Sequence, residues 1–292
     1  MNISLAPLSY CWDKQTVQDF YQAVADSKIN TVYLGETVCS RRRELKFNDY
    51  LEIASTLKSK GKNVVLSTMA LIEAQSELTE LSRYIDNGEF MIEANDMAAV
   101  HLASQANIPF VCGPTINNYN RASLDILHKK GMQRFVMPFE LSQQWLSKVI
   151  ADKPDFEVEV YGHGYIPLAH SARCFTAKHY DLSKDNCKTI CQQHPKGLLA
   201  QTQEKQPLLR LNGIQTQSAA KVNLIAQIPK MQQMGVDYWR LSVSSIDDIT
   251  LANQIIRTQH QTTDLQQLAA QLSDSSECNG YWFGDAGMSQ HS

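Results

Sequence analysis

The sequence predicts an α/β fold, specifically a TIM-like (β/α)8 barrel with room for irregularity. Short apolar, β-branched runs alternate with amphipathic helical stretches along most of the chain. The runs are apolar at consecutive positions, as strands buried on both faces are. About eight such strand–helix units fit the length, and strands joined by crossover helices imply a parallel sheet.

The first unit pairs Ile3–Pro7 with a helix over Thr16–Ser27, where Val17, Phe20, Tyr21 and Val24 recur at spacings of three and four. Thr31–Gly35 leads into a helix over Phe47–Lys60, with Tyr50, Leu51, Ile53, Ala54 and Leu57 on one face. Strands follow at Asn63–Ser67, Phe90–Glu93, Phe110–Gly113 and Arg134–Pro138, with helix stops at Asn87-Gly88 and Lys130-Gly131. Phe156–Tyr161 and Tyr238–Val243 complete the set, and a helix over Ile246–Gln259 follows. An open doubly wound sheet is the alternative. No glycine-rich fingerprint follows the first strand, which argues against a dinucleotide site.

One stretch breaks the rhythm. From Gly162 to about Gln217 the pattern gives way to His163-Gly164, a group of cysteines and a polar run, with Leu208–Asn212 as an extra strand or hairpin arm. The chain therefore reads as a single domain, 1–292, with an insertion at 162–217 and a mostly irregular tail from about Ser273.

Net charge is −3, and Lys and Arg are concentrated nowhere beyond Arg41-Arg42-Arg43, so affinity built on many phosphate contacts is not expected. No apolar run approaches the roughly 18 residues of a membrane helix, and the N-terminus lacks the pattern of a signal peptide. The expected compartment is the cytoplasm. In that reducing setting seven cysteines point to metal or redox chemistry before disulfides.

Cys174, Cys187 and Cys191 lie in the insertion with spacing C-x12-C-x3-C, and Cys39 follows the second strand. Loops after the strands of a parallel barrel emerge on one face, so Cys39 is expected to share a rim with the other three. Four thiolates satisfy either tetrahedral zinc or an iron–sulfur cluster. The absence of a tight C-x2-C knuckle favours the larger group, while buried inert thiols remain the alternative on spacing alone. Cys11, Cys112 and Cys278 read as buried thiols.

The run Glu159-Val160-Tyr161-Gly162-His163-Gly164, followed by Ser171-Ala172-Arg173-Cys174 and by Cys187-Lys188-Thr189-Ile190-Cys191, resembles the signature of the collagenase-like peptidase family, one of the "U" peptidase families. Within that family the closer likeness is to the branch serving oxygen-independent ubiquinone hydroxylation. It rests on residues 34–42, Ile166–Ala177, Leu211–Thr216, Asp237–Leu241 and Cys278–Trp282, and the similarity spans nearly the whole chain. The resemblance implies a 4Fe-4S cluster on Cys39, Cys174, Cys187 and Cys191. It also implies a heterodimer with a homologous cluster-bearing subunit, and a part in hydroxylating the quinone ring without dioxygen. Pro167 stands where typical members carry a further cysteine, which suits this branch and sets aside chemistry inferred from the wider family. Relatives in the family hydroxylate RNA bases, so an RNA-modifying enzyme is one alternative and a zinc-stabilised scaffold another. No peptidase motif is present, and peptidase activity is not expected.

Three further residues are candidate catalytic groups. His163 and His170 flank Pro167 and could move protons, and Glu36 ends the second strand, where barrel enzymes place functional groups. Arg173 and Arg41-Arg42-Arg43 could balance cluster charge or stand as solvated surface, and Asn117-Asn118-Tyr119-Asn120 could touch substrate or simply form a turn.

Overall fold

The computed structural model describes residues 1–272 and 277–291. Strands β1 (Asn2–Leu5), β2 (Thr31–Leu34), β3 (Asn63–Ser67), β4 (Met91–Ala94), β5 (Phe110–Cys112), β6 (Met132–Val136) and β7 (Glu157–His170) pair in sequence order, all parallel. The insertion adds β8 (Leu198–Gln201), β9 (Pro207–Asn212) and β10 (Gln215–Asn223) as an antiparallel extension of β7. Strand β11 (Tyr238–Leu241) then pairs with both β7 and β1, which closes an eight-stranded parallel barrel. The predicted barrel is correct, and each of the eight expected strands is present.

Helices α1 (Lys14–Ala25), α2 (Phe47–Ser59), α3 (Gln75–Ile85), α4 (Met97–Gln105), α5 (Arg121–Lys129) and α6 (Gln143–Val149) cover the outside of the first six units. Asp13, Asp96, Asn120 and Ser142 cap four of them, each side chain accepting a first-turn backbone N–H. The insertion carries the short α7 (Phe175–His179), and α8 (Ile228–Met234), α9 (Asp247–Thr258) and α10 (Thr262–Leu272) complete the outer layer. Among the described residues no helix is long and apolar enough to cross a membrane.

The tail is mostly irregular but carries two short elements. Ser273–Ser276 lie outside the described residues, but β12 (Glu277–Cys278) pairs with β10, and α11 (Gly280–Phe283) buries Trp282 in the core. Apolar Cys278 and Trp282 supply the anchoring, and Asn279 holds the backbone of His291.

Strand residues alternate between two environments. Val32 and Leu34, Val64 and Leu66, Val158 and Val160 join the large outer core under the helices. Their neighbours Tyr33, Val65, Val111 and Val136 form a separate cluster. With them lies a charged group: Glu159 accepts from Ser4, from the Tyr33 hydroxyl and from Arg240 Nε at 2.8 Å. Arg134 Nη1 lies 3.5 Å from the same carboxylate, and Arg134 stacks on Tyr238 at 3.4 Å. Arg240 stacks on Tyr33 at 3.8 Å and donates from Nη1 to Glu93 at 2.6 Å. Gly162 is required where β7 meets β11, because a Cβ there would fall 1.9 Å from the Trp239 ring.

Candidate functional site

Cys39 lies in the loop after β2, and two contacts fix that loop. The Glu36 carboxylate accepts the backbone N–H groups of Val38 at 2.8 Å and Cys39 at 2.9 Å. Arg42, buried, donates to the Ser9 carbonyl at 2.6 Å and to Asn212 Oδ1 at 2.7 Å, and its Nη1 lies 3.8 Å from Glu36. Burial pushes the Glu36 carboxyl up, against the pull of Arg42. Glu36 therefore shapes the Cys39 loop.

Cys174 caps α7, its Sγ accepting the Ala177 N–H at 3.3 Å, and it packs on the apolar cluster of Val38, Cys39 and Ile214. The third and fourth cysteines follow within one compact loop. Lys188 and Thr189 both take left-handed backbone between Cys187 and Cys191, so the chain reverses tightly there. Arg41 pairs with Asp185 beside Cys187, and Lys184 bonds both Glu73 and the Ala172 carbonyl. Three separate segments are thus stitched together on the rim at the C-terminal ends of the strands.

The thiols feel one another. Burial pushes Cys39 up to about 11, with Cys174 adding to the effect, and Cys174 is raised by burial and by the nearness of Cys191 and Cys187. A fifth thiol, missed from sequence, belongs to the group. Cys11, in the loop after β1, hydrogen-bonds Cys191; that bond and burial raise Cys11, while the bond and adjacent Arg42 draw Cys191 down. Its position after the first strand was the available signal, since that loop shares the rim with Cys39.

Among the described residues, no three His, Cys, Asp or Glu side chains are arranged around a point fit for a single metal ion. The donor chemistry nevertheless suits a cluster better than a hard cation: chiefly thiols, from separate loops, with the Glu36 carboxylate and the buried Arg42 guanidinium beside them.

The other candidates are dispersed. His163 is buried on β7 with its Nε2 3.9 Å from Glu277, so it serves the tail and not the cysteines. His170, at the end of β7, lies 3.1 Å from Gln215 Nε2, and burial lowers it to about 4, which keeps it neutral near pH 7. Asn118 bonds Cys112 and Asn120 caps α5, so both serve local structure. Arg43 and Arg173 are exposed. Arg41, Arg43, Lys46 and Arg83 border a cleft of about 400 Å³ floored by Phe47, Tyr50, Ile72 and Tyr84.

A family profile described as "Peptidase family U32" matches residues 12–280. The curated "tRNA hydroxylation protein P" of Escherichia coli (strain K12) is 26% identical over 95 residues, which is 32% of this chain and only 19% of that protein. Among solved structures, N-acetylneuraminate lyase from Mycoplasma synoviae is 11% identical, covers 91% of this chain and 78% of its own, and has a TM-score of 0.48. Thiamine phosphate pyrophosphorylase from Pyrococcus furiosus is 10% identical, covers 91% and 96%, and has a TM-score of 0.44. Neither structural likeness bears on activity.

Proposed function

This chain belongs to peptidase family U32, and from that membership we propose that it is an iron–sulfur subunit of the UbiV kind, working as a heterodimer with a UbiU homologue. Its role is oxygen-independent hydroxylation of the quinone ring in ubiquinone biosynthesis. A hydroxylation-related role is supported by the name of the Escherichia coli relative. The observation that supports the reading is that Cys174 packs against Cys39 and feels Cys187 and Cys191, which brings thiols of three segments to one rim.

These four thiolates would hold the 4Fe-4S cluster. When bound, it would supply one-electron transfer. The surrounding residues have their own tasks. Glu36 sets the Cys39 loop, and Arg42 balances thiolate charge from a buried position. Arg41–Asp185 and Lys184–Glu73 hold the insertion over the barrel.

Growth of a deletion strain without oxygen tests the function. Ubiquinone should fall and an unhydroxylated precursor accumulate, both restored by the wild-type gene; normal ubiquinone rejects the proposal. An RNA substrate is the second reading, favoured by the relative's name and by the basic cleft border, and opposed by the net charge of −3. Loss of one modified nucleotide with normal ubiquinone would select it.

A further inference from the structure

Cys11 is the thiol that a four-ligand site leaves over, and it is buried within the cysteine group. Its neighbours in sequence are tied to the segments that build the rim. The Ser9 carbonyl accepts from Arg42 Nη1 and from Asn212 Nδ2, both at 2.6 Å, which joins it to the Cys39 loop and to the end of β9. The Tyr10 hydroxyl donates to Gln217 Oε1 on β10 at 3.0 Å. Trp12 Nε1 donates at 3.3 Å to the carbonyl of Pro195, just beyond Cys191. The backbone folds back on itself around Cys11, with the Trp12 N–H reaching the Tyr10 carbonyl at 3.2 Å. Bonds on both sides of one residue fix where its side chain points, and here it meets Cys191 in a hydrogen bond.

Chemistry sets the direction of that bond. A cubane has four irons, and four thiolates complete it, so a fifth thiol keeps its proton. A liganding Cys191 has none to give. Cys11 is therefore the donor and the Cys191 sulfur the acceptor. Cys174 differs, because its Sγ accepts from a backbone N–H, that of Ala177. The bond at Cys191 comes from a side chain, which evolution or mutagenesis can alter without moving the chain. Reduction places an added electron on a cluster and its thiolates, and a hydrogen bond to a ligand sulfur stabilises that more negative state.

We propose that Cys11 is a positioning residue for the cluster: its S–H donates to the Cys191 sulfur and holds the reduction potential above the value that the four ligands alone would set. The proposal rests on the cluster reading above and gives Cys11 no place among the ligands.

Reductive titration of the anaerobically purified full-length protein with dithionite, followed by electron paramagnetic resonance, reads the midpoint potential. Cys11→Ala removes the donor. It should keep iron and sulfide at the wild-type level while the midpoint moves to more negative potential. Cys11→Ser restores an O–H donor and should bring the midpoint back toward wild type, which relief of a packing defect would not do. Cys112→Ala removes a buried β5 thiol bonded to Asn118 and should leave the midpoint unchanged. An unchanged midpoint in Cys11→Ala, a shift that Cys11→Ser does not reverse, or loss of iron from Cys11→Ala overturns the proposal. A wild-type chain without iron rejects the cluster reading itself and takes the proposal with it, a failure seen before any variant is compared.

Discussion

Glu159 inside the barrel and Cys39 on its rim are both buried, yet they are held by different means. Four side chains from β1, β2, β6 and β11 converge on Glu159, and each sits on a strand whose register is fixed by its neighbours. Cys39 instead depends on one carboxylate that braces its loop and on contacts made by an insertion more than a hundred residues away. The interior network is therefore assembled by the strands themselves. The rim gathers thiols from separate loops, which the proposed cluster would organise on binding. Stability should accordingly reside in the first region and metal content in the second.

The sharpest way to break this contrast is Glu159→Ala. It strands Arg240 and Arg134 in the barrel, and should cost about 3–5 kcal/mol in a denaturant titration, while iron per folded chain stays at the wild-type level. Parallel loss of iron and stability would show the two regions to be one. Gly162→Ala forces a methyl group into the Trp239 ring and should cost about 1–3 kcal/mol, again with iron unchanged.

Acid should expose the same division. Burial raises the Glu159 carboxyl, but Arg240 and Arg134 outweigh it and hold it below the usual carboxylate range. A depressed carboxylate contributes stability above about pH 4.3 that is lost as pH falls through the folded value. His170 is lowered to about 4 by burial. Between about pH 6.5 and 4 the unfolded chain takes up that proton more readily, so stability falls as pH falls. His170→Gln should flatten a plot of melting temperature against pH in that upper window and leave the lower one intact. At the small end, Arg41→Ala removes a surface pair with Asp185 and should change stability by less than about 1 kcal/mol. Its effect should appear instead as faster loss of iron to a chelator.

How far the sequence revealed these regions follows from the same physics. Apolar alternation with helices made every barrel strand legible, because burial on both faces leaves runs such as Val64-Val65-Leu66. It concealed the ion network, since Glu93, Arg134, Glu159 and Arg240 look like isolated charges until closure brings their strands together. Their signal was phase: each stands at an alternate position within an otherwise buried strand. The cysteine rim was legible through topology, which placed the loop after β2 beside the insertion. Cys11 was missed because a single apolar-flanked thiol carries no spacing pattern. Glu36 was read as a catalytic candidate from its place at a strand end, and only the hydrogen bonds to Val38 and Cys39 reveal its positioning role. The approach of His163 to Glu277 was not legible, because a register shift between Tyr161 and His163 and a two-residue tail strand set it.

Iron and acid-labile sulfide per chain, measured on anaerobically purified wild type and Cys39→Ser, test the central claim most directly. The wild-type protein should be brown with about four irons and four sulfides per chain, and the variant should lose both together with the visible absorption. A colourless wild type carrying one zinc, or a Cys39→Ser protein with unchanged iron, would contradict it.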